Sequence, residues 1–391
     1  MKFVYSFLAM QLLWSVATYC NEQTDRREAY IQAVVEGEGL MPWQEMGVSK
    51  EEKAFREKIE ARKTHMLRYR DRVQRPAMMS AEAMDRFRGK IEKDEATRNW
   101  FQSSINLADY LIDQGDGYVE RMIPELTPGN SYGFTCPHCV GDKSQEAVGS
   151  GLINWSHQDP DRMSCRECGQ VYPSDDYPET QTLLAPRSEQ RFTYYLNEKE
   201  RANPDNRSGE LAYHWVGYPI HISFSGVIRQ KKVAFMKGAL NSLALAYAFT
   251  EEPKYAEKTK QVLLRFAECY PHWLYHDYWD TIADCDPMFA AWKSTELPLE
   301  WKRHLSTNAF RKDTLEKAAM LQTYRGCGRT HPSTDAISGL NMICVAYDWL
   351  AETKSEDGSP IWSEDEKIKV ERDFILEYVI GGEPFVGGEG R

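Results

Sequence analysis

The sequence predicts a mainly α chain, a helical toroid that carries a small loop-rich insert. Three observations predict it: apolar residues recur at helical spacing over long stretches, strand-like alternation is scarce, and turn residues crowd into one segment between about 124 and 186. The chain has 391 residues, 42% hydrophobic and 27% charged, which supplies a large core and excludes a disordered chain. Its net charge of -11 gives no general attraction to phosphate backbones, so nucleic-acid binding is not expected.

Taken in order, Lys2, the apolar run over residues 3–16, and small residues Ser15 and Ala17 read as a secretory signal over 1–17. The run is shorter than the roughly 20 residues of a membrane span, so no membrane-spanning segment is expected after signal removal, and the expected location is secreted or periplasmic. Cys20 raises lipidation, but the preceding Tyr19 is bulky where a small residue is required, which favours cleavage after Ala17. Residues 18–123 form an N-terminal helical region. Within it, 48–73 is dense in Glu, Lys and Arg and is expected to face solvent, while Trp100, Ser104, Leu107, Ala108 and Leu111 form a docking face. The insert occupies 124–186, and a partial toroid 187–391. There a helix from Lys231 carries Val233, Leu240, Leu243, Ala244 and Tyr247 on one face, and after Pro253 a second carries Tyr255, Val262, Leu263, Phe266, Ala267 and Tyr270. Together they make an antiparallel α-hairpin. Further helices are expected over 313–324, 334–350 and 363–379, the last opened by a Ser363/Glu366 capping box.

The insert holds Cys136-Pro137-His138-Cys139 and Cys165-Arg166-Glu167-Cys168-Gly169, two CxxC pairs separated by 25 residues. Each two-residue spacer lets two thiolates converge on one tetrahedral zinc, and Gly169 supplies permissive backbone after the second knuckle. Four sulfurs close the shell without His138, so a structural Zn2+ on Cys136, Cys139, Cys165 and Cys168 is expected, with disulfides as the alternative in an exported protein. Cys269, Cys285, Cys327 and Cys344 have no ligand spacing and read as small buried residues, with a disulfide among them as the alternative. No organic cofactor is expected.

The order of parts then becomes informative. The Trp100 helix, Thr127-Pro128-Gly129-Asn130, the knuckle Phe134-Thr135-Cys136-Pro137-His138-Cys139, and Cys165-Arg166-Glu167-Cys168-Gly169-Gln170-Val171-Tyr172-Pro173-Ser174-Asp175-Asp176 together resemble exported heparinase II/III-like polysaccharide lyases. Leu243-Ala244-Leu245-Ala246-Tyr247-Ala248-Phe249-Thr250 and Ala346-Tyr347-Asp348-Trp349-Leu350 look like toroid hairpins of that family. The resemblance covers residues 95–391. It implies an incomplete (α/α) toroid followed by β-sandwich domains, and β-elimination on a uronic-acid-containing polysaccharide, making an acidic polysaccharide the expected partner. The sequence departs from this pattern at 381–391, a glycine-rich stretch followed by no strand-rich region. The family's C-terminal β-sandwich is therefore expected to be absent from a truncated chain, and its carboxylate-holding Asn or His, catalytic Tyr and further His to fall beyond Arg391.

β-Elimination needs a group that neutralises the uronate carboxylate, a base for the C5 proton and an acid for the departing O4. Tyr213, His214 and His221 are catalytic candidates in a Gly- and Pro-containing loop, and Tyr324 and His331 are candidates in a second loop. In that second loop Arg325 and Arg329 are candidate carboxylate or sulfate ligands. Trp273 and Trp279 offer rings for sugar stacking. His272 and His276 stand four apart but lack the Glu of a metalloprotease motif. No nucleophile elbow or phosphate loop appears. The alternatives are a helical-toroid glycoside hydrolase, for which Asp284 and Asp286 are the paired acids, and a non-catalytic acidic-glycan-binding protein.

Overall fold

A computed structural model describes residues 48–76, 80–115, 117–129, 136–141, 153–195, 223–277, 281–293, 297, 301–304, 327–330 and 341–386. The signal over 1–17, Cys20 and the helix expected over 313–324 lie outside them. In chain order the first elements are α1 (Lys50–Leu67), α2 (Ala81–Lys93), α3 (Glu95–Ile112), α4 (Tyr118–Met122) and α5 (Pro137–Gly141). Strands β1 (Ile153–Ser156), β2 (Asp159–Cys165), β3 (Val171–Tyr172), β4 (Gln181–Ala185) and β5 (Gln190–Tyr194) follow. Then come α6 (Phe224–Thr250), α7 (Pro253–Cys269), β6 (His276–Asp277), β7 (Thr281–Ala283), α8 (Pro287–Lys293), β8 (Lys302–His304) and β9 (Cys327–Gly328). Last are α9 (Asn341–Leu350), α10 (Glu364–Val370) and α11 (Glu377–Val386), the latter two joined by the π-helical stretch Glu371–Leu376. The protein is mainly helical, as the periodicity predicts.

The core is the α6/α7 hairpin and what packs on it. Helix α6 starts at Phe224 rather than Lys231, because the Ser223 side chain caps the Gly226 N–H at 3.0 Å. It ends where Glu251 takes a left-handed conformation, φ 57°, and Pro253 occupies the first turn of α7. Helix α6 is buried nearly all round, from Val227 to Ala246, as expected of a central helix. Helix α7 is one-sided and turns Val262, Leu263 and Phe266 inward. Ala108 and Leu111 of α3 and Ile343, Ala346 and Leu350 of α9 complete the same apolar cluster. Of the expected docking face on α3, Ser104, Ala108 and Leu111 are buried and Leu107 packs against the cluster, whereas Trp100 is 48% exposed and meets the Phe87 ring edge-on at 5.9 Å; the capping box of α10 is formed in both directions.

Among the described residues strands are few and short, as the sequence predicts. β1, β2 and β3 form an antiparallel meander, β4 and β5 a hairpin with Gln181 opposite Tyr194, and β8, β7, β6 and β9 a small four-stranded sheet. The β4/β5 hairpin crosses residue 186, where the insert was expected to end. Its turn contains Glu189 at φ 60°, a left-handed residue that propensity does not single out.

The larger correction concerns α1. Its charge predicts a solvent-facing helix, yet Glu52, Ile59 and Lys63 are buried. Ile59 touches Met288 and Ile380, and the Phe55 ring meets Phe289 edge-on at 5.5 Å, so α1 docks on α8 and α11. The reason is that its inward stripe pairs charges with charges, as described below.

One close approach has no room for a side chain. Gly129 donates its N–H to the Gly226 carbonyl at 2.9 Å, and a Cβ at Gly129 would lie 2.7 Å from the Gly226 backbone. Gly129→Ala is expected to cost about 1–3 kcal/mol through backbone displacement. Chemical denaturation followed by circular dichroism measures it, and an unchanged midpoint would contradict the close approach.

Candidate metal centre and charged cleft

Cys136 lies just before α5 and Cys139 within it, while Cys165 ends β2 and Cys168 sits in the turn that follows. The turn is closed by Gly169 donating to the Cys165 carbonyl at 2.9 Å, with Gly169 at φ 75°. The four sulfurs lie within 4.8 Å of one another. Cys136 Sγ is 3.6 Å from Cys168 Sγ, and Cys139 Sγ is 3.8 Å from Cys165 Sγ. A tetrahedron with metal–sulfur bonds of about 2.3 Å has edges of about 3.8 Å, so the cluster has the size of a tetrathiolate metal site. All four cysteines are free thiols. Burial pushes the Cys136 thiol up to about 11 and raises Cys139 as well. A bound cation is what would let sulfurs so placed ionise.

The centre is built onto the hairpin. Tyr172 stacks on Phe224, the first residue of α6, at 4.4 Å, and its hydroxyl lies 2.9 Å from Cys136 Sγ. Ile153, Met163, Val227 and Ile228 close the same cluster. His138 is turned away from the sulfurs, its Nδ1 3.0 Å from the Tyr177 hydroxyl. Four sulfurs leave no coordination position for substrate, so the group can brace the fold but not activate a ligand.

A cleft of about 720 Å³ opens on another side, walled by α1, by Arg187 and Ser188, by His272 and Leu274, and by Cys285 and Asp286. The floor beside it is a buried charge cluster centred on Glu377, which is 0% exposed. Arg56 donates to its carboxylate at 2.9 Å, Arg329 at 2.9 Å, and Lys63 also pairs with it. Burial alone would raise the Glu377 pKa, but the Arg329, Arg56 and Lys63 charges outweigh it and hold the carboxyl at about 2. Arg56 extends the cluster to Asp286 at 2.7 Å. Glu52 accepts from Arg187 and from the Asp286 backbone at 3.1 Å.

Most expected site residues lie outside the described residues: Tyr213, His214, His221, Trp279, Tyr324, Arg325 and His331. The two that are described correct the expectation. Trp273 is fully buried, donates its indole N–H to the Pro124 carbonyl at 3.0 Å and packs on Phe266, so no ring face is open to a sugar. Arg329 is 3% exposed, donates to the Tyr270 carbonyl at 3.0 Å and to Glu377, and lies over the Tyr270 ring. It is a structural cation, and Arg329→Ala is expected to reduce stability together with any polysaccharide binding. The paired acids of the hydrolase alternative are likewise engaged in structure. Asp284 accepts the Arg187 and Ser188 backbone N–H groups at 3.0 and 2.9 Å. Asp286 caps α8 through the Met288 and Phe289 N–H groups. His272 is at the cleft rim and His276 is buried in β6, so they share no helix face.

The charge cluster itself was missed, although one signal was available. Glu52, Arg56, Ile59 and Lys63 fall at steps of four, three and four, one stripe of a helix with an apolar residue in its middle. Comparison with family models, curated proteins and solved structures finds no match.

Proposed function

We propose that the chain is an exported polysaccharide lyase that cleaves a uronic-acid-containing polysaccharide by β-elimination, on an incomplete (α/α) toroid braced by a structural Zn2+. The observation that carries this reading is the four-sulfur cluster, of tetrathiolate size, built onto the first turn of a buried α-hairpin. That combination is the one on which the resemblance to heparinase II/III-like lyases rests. Zinc is favoured because an all-thiolate tetrahedron suits it and the hard cations take oxygen. With its shell closed it takes no part in the chemistry.

The reaction then falls to side chains. A cationic or amide group neutralises the uronate carboxylate and makes the C5 proton acidic, a base removes it, and an acid protonates O4 as it leaves. Tyr213, His214, His221, Tyr324 and His331 are the proposed acid–base candidates and Arg325 the proposed carboxylate ligand. Arg329 is not part of that set, since its guanidinium is held by Glu377 and the Tyr270 carbonyl.

The test is an ultraviolet absorbance assay on a panel of uronic-acid polysaccharides, using this chain and its full open reading frame. The expected result is growth of the unsaturated-uronate chromophore with shortening of the polymer. Shortening without the chromophore would mean hydrolysis, and binding without shortening would mean a non-catalytic glycan-binding protein; either result overturns the lyase reading.

A further inference from the structure

The four sulfurs of the metal centre are not equivalent. Cys136, Cys139 and Cys165 are buried, whereas Cys168 is exposed in its turn. Cys136 Sγ is 3.6 Å from Cys168 Sγ and Cys139 Sγ is 3.8 Å from Cys165 Sγ, and all four sulfurs, those of one knuckle included, lie within 4.8 Å of one another. A disulfide is about 2.05 Å long, so each cross-knuckle pair needs an approach of less than about 2 Å to bond.

We propose that the four-cysteine cluster is a thiol–disulfide switch: an external organic disulfide reacts at Cys168, the protein becomes cross-linked from Cys136 to Cys168 and from Cys139 to Cys165, and the metal leaves. The proposal rests on the zinc reading above. The Cys168 thiolate attacks one sulfur of the external disulfide, forms a mixed disulfide and expels one external thiolate. The Cys136 thiolate then attacks the Cys168 sulfur and expels the second. Two protein thiolates have together lost two electrons, one external disulfide has become two thiolates, and the cation has lost two of its four ligands. A second equivalent of the same oxidant oxidises Cys139 and Cys165 in the same way.

The pairing decides what the switch does to the fold. The Cys139–Cys165 bond ties α5 to the end of β2 and the Cys136–Cys168 bond ties the start of α5 to the turn after β2, the same connection a metal would make. Bonds within a CxxC pair would leave the two knuckles untied. Oxidation is therefore a change of fastening between the same two knuckles, beside the Tyr172–Phe224 stack.

The experiment titrates zinc-loaded full chain with oxidised glutathione, reading released zinc with a chromogenic chelator and mapping disulfides by peptide mass spectrometry. The expected result is release of about one zinc per chain, a glutathione adduct trapped at Cys168 at short times, and final bonds from Cys136 to Cys168 and Cys139 to Cys165. Cys168→His keeps a fourth zinc ligand but removes the exposed thiol, and should retain zinc at oxidant levels that empty the wild type. Zinc kept by the wild type through excess oxidant, bonds confined within each CxxC pair, or a first adduct at a buried cysteine would overturn the switch. Protein purified under reducing conditions with no metal would overturn the zinc reading instead.

Discussion

Glu377→Gln is expected to lower the stability of the chain by about 3–5 kcal/mol, because it leaves Arg56, Lys63 and Arg329 facing one another without their shared counter-charge. Two of those cations, Lys63 and Arg329, are almost fully buried, so water cannot replace the lost carboxylate without opening the seam between α1 and α11. The measurement is a urea denaturation at neutral pH; a loss under about 1 kcal/mol would place the pair among weakly coupled surface ions. Acid gives a second readout. The folded-state pKa of Glu377 is lowered to about 2 from the ordinary 4.5. Its contribution is therefore fully present above about pH 4.5 and is lost as the pH falls toward 2. The Gln variant should show a correspondingly flatter loss of stability across that window.

Cys136→Ser is expected to empty the metal centre and melt the insert. Cys136 is fully buried against Tyr172 and Phe224, and a serine hydroxyl there neither ligates zinc as a thiolate does nor suits an apolar site. The wild type is expected to carry about one zinc per chain and the variant to lose most of it, because metal binding and folding of such a module are one equilibrium. Elemental analysis after gel filtration reads the metal, and hydrogen exchange over β1, β2 and β3 reads the fold. Cys344→Ser, at a half-buried position on α9 outside the cluster, is the control and should keep its zinc. Full metal content in Cys136→Ser would remove that sulfur from the ligand set.

How far these features were legible differs from element to element for physical reasons. Helix α7 is visible because it is half buried, so Val262, Leu263 and Phe266 repeat against a charged face, and Pro253 marks its start. The first turn of α6 is hidden by the opposite circumstance. Phe224, Val227 and Ile228 are buried against the insert while Gly226 is pressed on Gly129, and a helix enclosed on all sides leaves no period to read. The CxxC pairs are legible because ligand spacing is local. Trp273 and Arg329 are not, because a Trp or Arg in a polar loop reads the same whether it faces solvent or, as here, Pro124 and Glu377 across the fold. Helix α1 misleads for the same reason: beside its neighbour Glu60, Arg56 pairs with Asp286 and Glu377, 230 and 321 residues away, and the stripe on α1 marks an inward face without naming partners at that span.

That span also sets an order of assembly. Helix α1 is among the first elements to be synthesised, but the carboxylate that holds Lys63 follows it by 314 residues, about 15–60 s of translation at roughly 5–20 residues per second. Until then α1 has its capping box and the local pairs of Glu60 with Arg56 and Lys63, and an isolated helix of 18 residues is marginal in water. The segment made early is thus fastened late, and the closing of that seam brings together segments 314 residues apart. Truncation before Glu377 should therefore release α1 as readily as a change in α1 itself, so that a protease nick just before Glu377 would be felt at Lys63.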